Sequence, residues 1–305
     1  MTKTDMQKAL DFHDNYEQKV REAAAYVKPF LGDKKPAFGL ILGSGLGALE
    51  KAIAVASIIP YKDIPNFPNT TVPGHEGKLI IGSIEGVPVL CFKGRKHYYE
   101  VADEPMNNGM LKTVFHIHFL AELGVKNYFT THAVGGLNLK YKVGDIMIIK
   151  SHINLMPNPL LGRILDFKRI DNSQPLERFQ PMNNAYDDAL RKMLWQACKD
   201  YKKQVHKGVL LAVTGSTYET DGESIFFRKG IGADAVGMSV SPETIAARNR
   251  GIKVVGFSCI SDMIAEDGTN STSHEEVQAA LSSEKFKSRM ASIMKKFFAL
   301  YKENL

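Results

Sequence analysis

The chain has little cysteine and less tryptophan, three and one in 305 residues. Cys91, Cys198 and Cys259 are far apart and odd in number, which excludes a disulfide-built scaffold and fits reduced thiols. Long hydrophobic runs are missing too. The apolar stretches are no longer than the one at 209–213, far short of the roughly 20 residues that cross a membrane. Residues 1–27 are polar, without the apolar core and small-residue cleavage site of a secretory leader, so a cytoplasmic location is expected. No run of about five lysines and arginines occurs. The net charge of +6 is scattered; it suits an anionic ligand and does not call for nucleic acid.

What the chain does have is 44% apolar and 24% charged residues, the balance of a globular protein with a sizeable core. Phe12, Tyr16, Val20, Ala23 and Val27 form one helical stripe, and Phe286, Met290, Ile293, Met294, Phe297 and Tyr301 form another. Between them, strands are expected at 38–42, 79–83, 87–92, 128–131, 145–150, 209–213, 235–238 and 254–258. Helices are expected at 112–123, 185–202, 224–229, 241–250 and 273–282. Interleaved strands and helices predict an α/β fold around a central mixed sheet. With no repeat and no Gly/Ser linker, residues 1–305 read as a single domain. The stretch 155–184, rich in Asn and Pro, reads as a long loop.

Candidate chemistry gathers where expected strands end. Gly43-Ser44-Gly45-Leu46-Gly47-Ala48 follows the first strand and can aim backbone N–H groups at a phosphate. It also fits the dinucleotide pattern, but Asp63 lies in a Pro-bounded turn and not at a strand end. Taken alone, the motif leaves a dinucleotide, another phosphate or a tight turn open. Arg95 and His97 put a planar cation beside an imidazole. The segments after His132 and around Ser239 end strands in small residues. Ser44, Arg95 with His97, the Ala133 backbone and Ser239 therefore form an anion-compatible set.

Six segments, in order over residues 38 to 280, resemble the trimeric purine nucleoside phosphorylase family. They are 43–47, 65–77 (PNFPNTTVPGHEG), 94–100, 133–145 (AVGGLNLKYKVGD), 232–239 (GADAVGMS) and 274–277. The resemblance implies a phosphorylase-like, partly barrel-like sheet flanked by helices and a homotrimer. It implies phosphate-dependent, reversible cleavage of purine nucleosides to free base and ribose 1-phosphate, with phosphate as co-substrate and neither metal nor organic cofactor. Carried over by position, phosphate would meet Ser44, His75, Arg95, His97, the Ala133 backbone and Ser239. The sugar would meet Tyr99, Met238 and His274, and the base Tyr218, Glu219, Val236 and Asp262. His97, Glu219 and Asp262 would carry the chemistry. Plainer roles exist: His75 as a turn cap, Glu219 and His274 as helix-end residues, Tyr99 and Met238 as core.

The chain departs from the family pattern at three places. Ser261-Asp262 stands where the family usually has Thr-Asn, and a carboxylate donates no hydrogen bond unless protonated. A protonated Asp262 near Glu219 would admit adenosine, and it also resembles methylthioadenosine phosphorylases. His132 stands where the family generally has Asn, which with Asp262 keeps a non-catalytic nucleoside-binding protein as an alternative. The segments 101–110 and 155–184 diverge, and in the second a subunit usually lends an aromatic to its neighbour, for which Phe167 and Phe179 are the candidates. His13, His116, His118, His152 and His206 match no site motif and read as structural or surface residues.

Overall fold

The computed structural model describes residues 2–43, 47–72, 76–270 and 273–304. Ser44 and His75 lie outside them, as does the side chain of His274. Two helices open the chain, α1 (Lys3–Asp14) and α2 (Tyr16–Leu31). The stripe expected over 12–27 is broken at Asn15, the junction between them. α2 alone turns a continuous face inward, with Tyr16, Val20, Ala23, Val27 and Leu31 buried.

Nine strands follow among the described residues: β1 (Phe38–Leu42), β2 (Ala54–Pro60), β3 (Lys78–Ile84), β4 (Val87–Lys93), β5 (Asn127–Gly136), β6 (Ile146–Asn154), β7 (Val205–Ala212), β8 (Ala235–Gly237) and β9 (Lys253–Met263). The helices between and after them are α3 (Asn108–Thr113), α4 (Phe115–Glu122), α5 (Asp188–Ala197), α6 (Asp221–Ile225), α7 (Ser241–Asn249), α8 (His274–Ala280) and α9 (Glu284–Glu303). The strands form one mixed sheet in the order β2-β3-β4-β1-β5-β8-β7-β6-β9. A second pairing, β5 with β9, closes five of them into a barrel. Strand β5 thus serves both halves, parallel to β1 on one side and to β9 on the other.

Four sequence expectations need correction. Strand β2 was not foreseen, because as the edge of the sheet it buries only Ile59 and carries no alternating pattern. The helix expected at 112–123 is two, α3 and α4; Thr113 Oγ1 bonds back to the Gly109 carbonyl at 2.8 Å, a contact that competes with regular helix. The helix expected at 185–202 starts at Asp188, capped by Asp187, and stops at Ala197. The helix expected at 224–229 begins at Asp221, where Thr220 and Glu223 form a capping box. The loop 155–184 carries neither helix nor extended strand.

The core fills both faces of the sheet. Helices α2 and α4 cover one face with Tyr16, Phe115 and Phe119. α5 and α9 cover the other with Leu194, Met290, Phe297 and Phe298. This double layer frees the strand ends, and the loops that follow them, for a site.

Candidate functional site

Five segments converge on one cleft: the loop after β4, the end of β5, the loop after β7, β8 with the residues behind it, and the end of β9. Its empty space, open mouth included, is about 700 Å³. Arg95, His97, Ala133 and Ser239 line one end; Tyr218, Glu219, Val236 and Asp262 line the other, with Tyr99 and Met238 also in the wall.

At the arginine end, Arg95 is only 3% exposed. Its Nε donates to Glu243 Oε1 at 2.9 Å and its Nη2 to the Thr131 carbonyl at 3.0 Å and Thr130 Oγ1 at 3.3 Å. Nη1 donates to Ser239 Oγ at 3.3 Å. A buried guanidinium needs such a partner set, since an unpaired one would cost several kcal/mol. Glu243, on α7, is equally buried and accepts from the Tyr128 hydroxyl at 2.8 Å. Burial pushes its carboxyl up, but Arg95 and then His116 outweigh that and hold it below the usual range. Gly43 sits against this network: a Cβ there would lie 2.6 Å from the Thr131 carbonyl and 3.0 Å from Arg95 Nη1.

His97 is buried beside Arg95. Burial lowers its pKa, opposed by Glu100, so the ring stays neutral at pH 7. Glu100 Oε1 accepts from the His97 backbone N–H at 2.6 Å and lies 3.3 Å from Nδ1. Its other oxygen accepts from the Lys96 ammonium at 3.0 Å, and from the Thr71 hydroxyl. Burial raises the Glu100 pKa, but these bonds together drive it well below the ordinary carboxylate value. A neutral His97 with Nδ1 fixed by Glu100 leaves Nε2 as its other polar atom.

The Tyr99 ring stacks on His97, 4.9 Å between centroids, and burial pushes its hydroxyl up to about 12. Gly215, at φ +68°, lies beside it; a Cβ there would collide with the Met238 sulfur and approach Tyr99 to 3.1 Å. That position accepts only glycine without displacing two residues of the wall.

At the carboxylate end, Glu219 directly precedes Thr220, the N-cap of α6. Burial raises the Glu219 pKa and nearby Asp262 raises it further. Asp262 Oδ1 lies 2.7 Å from the Ser261 hydroxyl, which also reaches the Val134 carbonyl at 3.1 Å, and Oδ2 accepts from Asn270 Nδ2 at 2.8 Å. Tyr218 is 44% exposed at the mouth.

The fold thus brings together Arg95, His97, Tyr99, Ala133, Tyr218, Glu219, Val236, Met238, Ser239 and Asp262. Ser44, His75 and the His274 side chain fall outside the described residues; the His274 backbone opens α8. Sequence reasoning missed Glu243, Tyr128 and Thr130, whose only signal is a tertiary contact with Arg95. His116 is buried, 3.8 Å from Glu243. Among the described residues no group of three His, Cys, Asp or Glu could hold a metal, and no helix is long and apolar enough to cross a membrane.

Residues 37–299 match the model of the phosphorylase superfamily. The purine nucleoside phosphorylase 1 of Bacillus subtilis is 41% identical over 285 residues, 93% of this chain and 98% of that protein. The Schistosoma mansoni purine nucleoside phosphorylase in complex with adenosine superposes with a TM-score of 0.79 at 32% identity, covering 92% of this chain and 96% of that one. A schistosome purine nucleoside phosphorylase in complex with hypoxanthine gives 0.80 at 33%, with the same coverage. Sequence, fold and converging cleft agree: the chain belongs to the phosphorylase superfamily, among its purine nucleoside phosphorylases.

Proposed function

We infer that this cleft cleaves purine nucleosides with inorganic phosphate, reversibly, to the free base and ribose 1-phosphate; the enzyme is a pentosyltransferase. One observation carries the reading. A single cleft joins a buried, preformed anion site at Arg95 and Ser239 to a carboxylate pair at Glu219 and Asp262. Breaking the glycosidic bond leaves positive charge on the sugar and negative charge on the purine. Phosphate held by Arg95, His97, Ser239 and the Ala133 backbone, together with Ser44 and His75, stabilises the sugar cation and attacks its anomeric carbon. Burial raises the Glu219 pKa and so favours the protonated form, which donates to the purine as it departs. Neither a metal nor an organic cofactor is needed in this scheme.

The substrate class follows from the same pair. Adenine presents an acceptor at N1 and a donor at its 6-amino group; a 6-oxopurine presents the reverse. Glu219 in the protonated form that burial favours, beside an Asp262 that accepts from Asn270, offers a donor and an acceptor, the complement of adenine. The relative solved with adenosine, 32% identical, is consistent with 6-amino nucleosides being taken beside 6-oxo ones.

Assembly as a homotrimer is part of the reading. Phe167 is 3% exposed, stacked on His118 and lying 4.1 Å under the Arg250 guanidinium, so it has no free face to lend. Phe179 is 89% exposed on the same long loop and is the aromatic offered to a neighbour's sugar site. The location remains read as cytoplasmic.

The test is release of free base from inosine, guanosine, adenosine and methylthioadenosine, with and without phosphate and with a chelator present. Phosphate-dependent release that survives the chelator is expected from the first three. Release from methylthioadenosine alone would move the chain to that sister activity, and binding without release would make it a nucleoside-binding protein. Sedimentation checks the three-chain mass, and Phe179→Ala is expected to raise the nucleoside KM.

A further inference from the structure

His132 sits at the floor of the cleft, 2% exposed, and no role has yet been assigned to it. It lies on β5 in register with Ser258 on β9, so the two side chains share one face of the barrel. Its Nε2 is 2.7 Å from Ser258 Oγ. Its Nδ1 faces Ser239 Oγ at 3.4 Å. Gly237 lies beside the ring, where a Cβ would be in ordinary contact with Nδ1 at 3.4 Å. Burial and the neighbouring Arg95 hold the imidazole neutral, well below its usual range.

A neutral imidazole has one donor and one acceptor nitrogen, so the two serines receive opposite roles. In one arrangement the Ser258 hydroxyl donates to Nε2 and Nδ1–H donates to Ser239 Oγ. That oxygen already accepts from Arg95 Nη1 at 3.3 Å, so its own proton is left to point into the cleft. In the other arrangement Nε2–H donates to Ser258, Ser239 gives its proton to Nδ1, and a lone pair faces the cleft. An anion is bound by the first and repelled by the second.

We propose that His132, set by Ser258, is a positioning residue that turns the Ser239 hydroxyl into a donor toward phosphate. The inference rests on the phosphate reading of the arginine end given above. It gives His132 no contact with the reacting atoms. It gives Ser258, which does not line the cleft, a part in phosphate affinity.

Two substitutions separate the ring nitrogens. An Asn amide reproduces the Nδ1 side of His, and a Gln amide the Nε2 side. Phosphate affinity is measured by calorimetry without nucleoside, and KM for phosphate and for nucleoside by initial rates, on variants shown folded by thermal unfolding. His132→Gln is expected to weaken phosphate binding about tenfold while moving the nucleoside KM less than about twofold, since a lost hydrogen bond to a charged group is worth about 1.5 kcal/mol or more. His132→Asn is expected to recover most of that loss. Ser258→Ala, where the ring and Ser239 remain in place, is expected to weaken phosphate binding roughly threefold. Equal phosphate affinities for the Asn and Gln variants, equal shifts in both KM values, or a Ser258→Ala protein that binds as wild type would overturn the proposal. Wild-type protein that releases base without needing phosphate would instead remove the phosphate reading, and this inference with it.

Discussion

At the arginine end of the cleft, Arg95, His97, His132 and Ser239 are all buried, and Arg95 reaches four partners among the described residues. At the carboxylate end, Tyr218 is 44% exposed and Asp262 is steadied by a neighbouring serine and a loop asparagine. One end is rigid because a buried guanidinium leaves no freedom once its donors are matched. The other end is mixed: Tyr218 opens to solvent, while Asp262, 6% exposed, is buried and held by neutral hydrogen-bond partners and not by an ion pair among the described residues. On the proposed reading, chemistry common to every nucleoside falls at the arginine end, and discrimination between bases at the carboxylate end.

The contrast breaks most sharply at Glu243. Glu243→Ala strands the Arg95 charge in the interior and is expected to lower stability by about 3–5 kcal/mol, read from urea unfolding. A Glu243→Ala protein as stable as wild type would show that the arginine end is not held by this pair. Glu219→Gln, at the carboxylate end, is expected to leave unfolding nearly unchanged while kcat/KM falls by about 10²–10³. A comparable loss of stability would erase the distinction between the ends. Asp262→Asn is expected to shift the ratio of adenosine to inosine cleavage toward inosine by about tenfold, equivalent to about 1.4 kcal/mol. An unchanged ratio would take base selection away from this residue.

Acid sharpens the comparison by a smaller step. His116, behind Arg95, is fully buried and its pKa is lowered from 6.5 to about 4, mainly by burial. The unfolded chain takes up this proton below about pH 6.5 and the folded one only near pH 4, so stability is full above 6.5 and falls as pH drops through that window. The slope from His116 is at most about 1.4 kcal/mol per pH unit. Unfolding midpoints between pH 7.5 and 4.5 measure it, and His116→Asn is expected to flatten the curve.

Much of this was legible in the sequence, for a physical reason. Arg95 and His97 follow the apolar run of β4, Ser239 follows the small residues of β8, and short strands with glycine at their exits are local patterns. The partners that make Arg95 tolerable are not local. Glu243 is 148 residues away and carries the ordinary look of an acidic residue in a helix's first turn. Ser258 meets His132 across 126 residues, through a strand pairing that no periodicity encodes. The hydrogen-bond partners of Asp262, Ser261 beside it and Asn270 in the loop after β9, become visible only on folding. Phe167 and Phe179 were indistinguishable by type and were separated only by burial.

The pairing of β5 with β9 has a consequence for how activity arises. It joins residues around 130 to residues around 256, and the entropy of closing so long a loop is lost before its contacts are gained. Until that seam zips, His132 has no Ser258 and Asp262 no place beside Gly135. Catalytic competence is therefore a late and all-or-none property of the chain. In refolding from urea, enzyme activity should return with the last cooperative phase, and no compact species formed earlier should cleave a nucleoside.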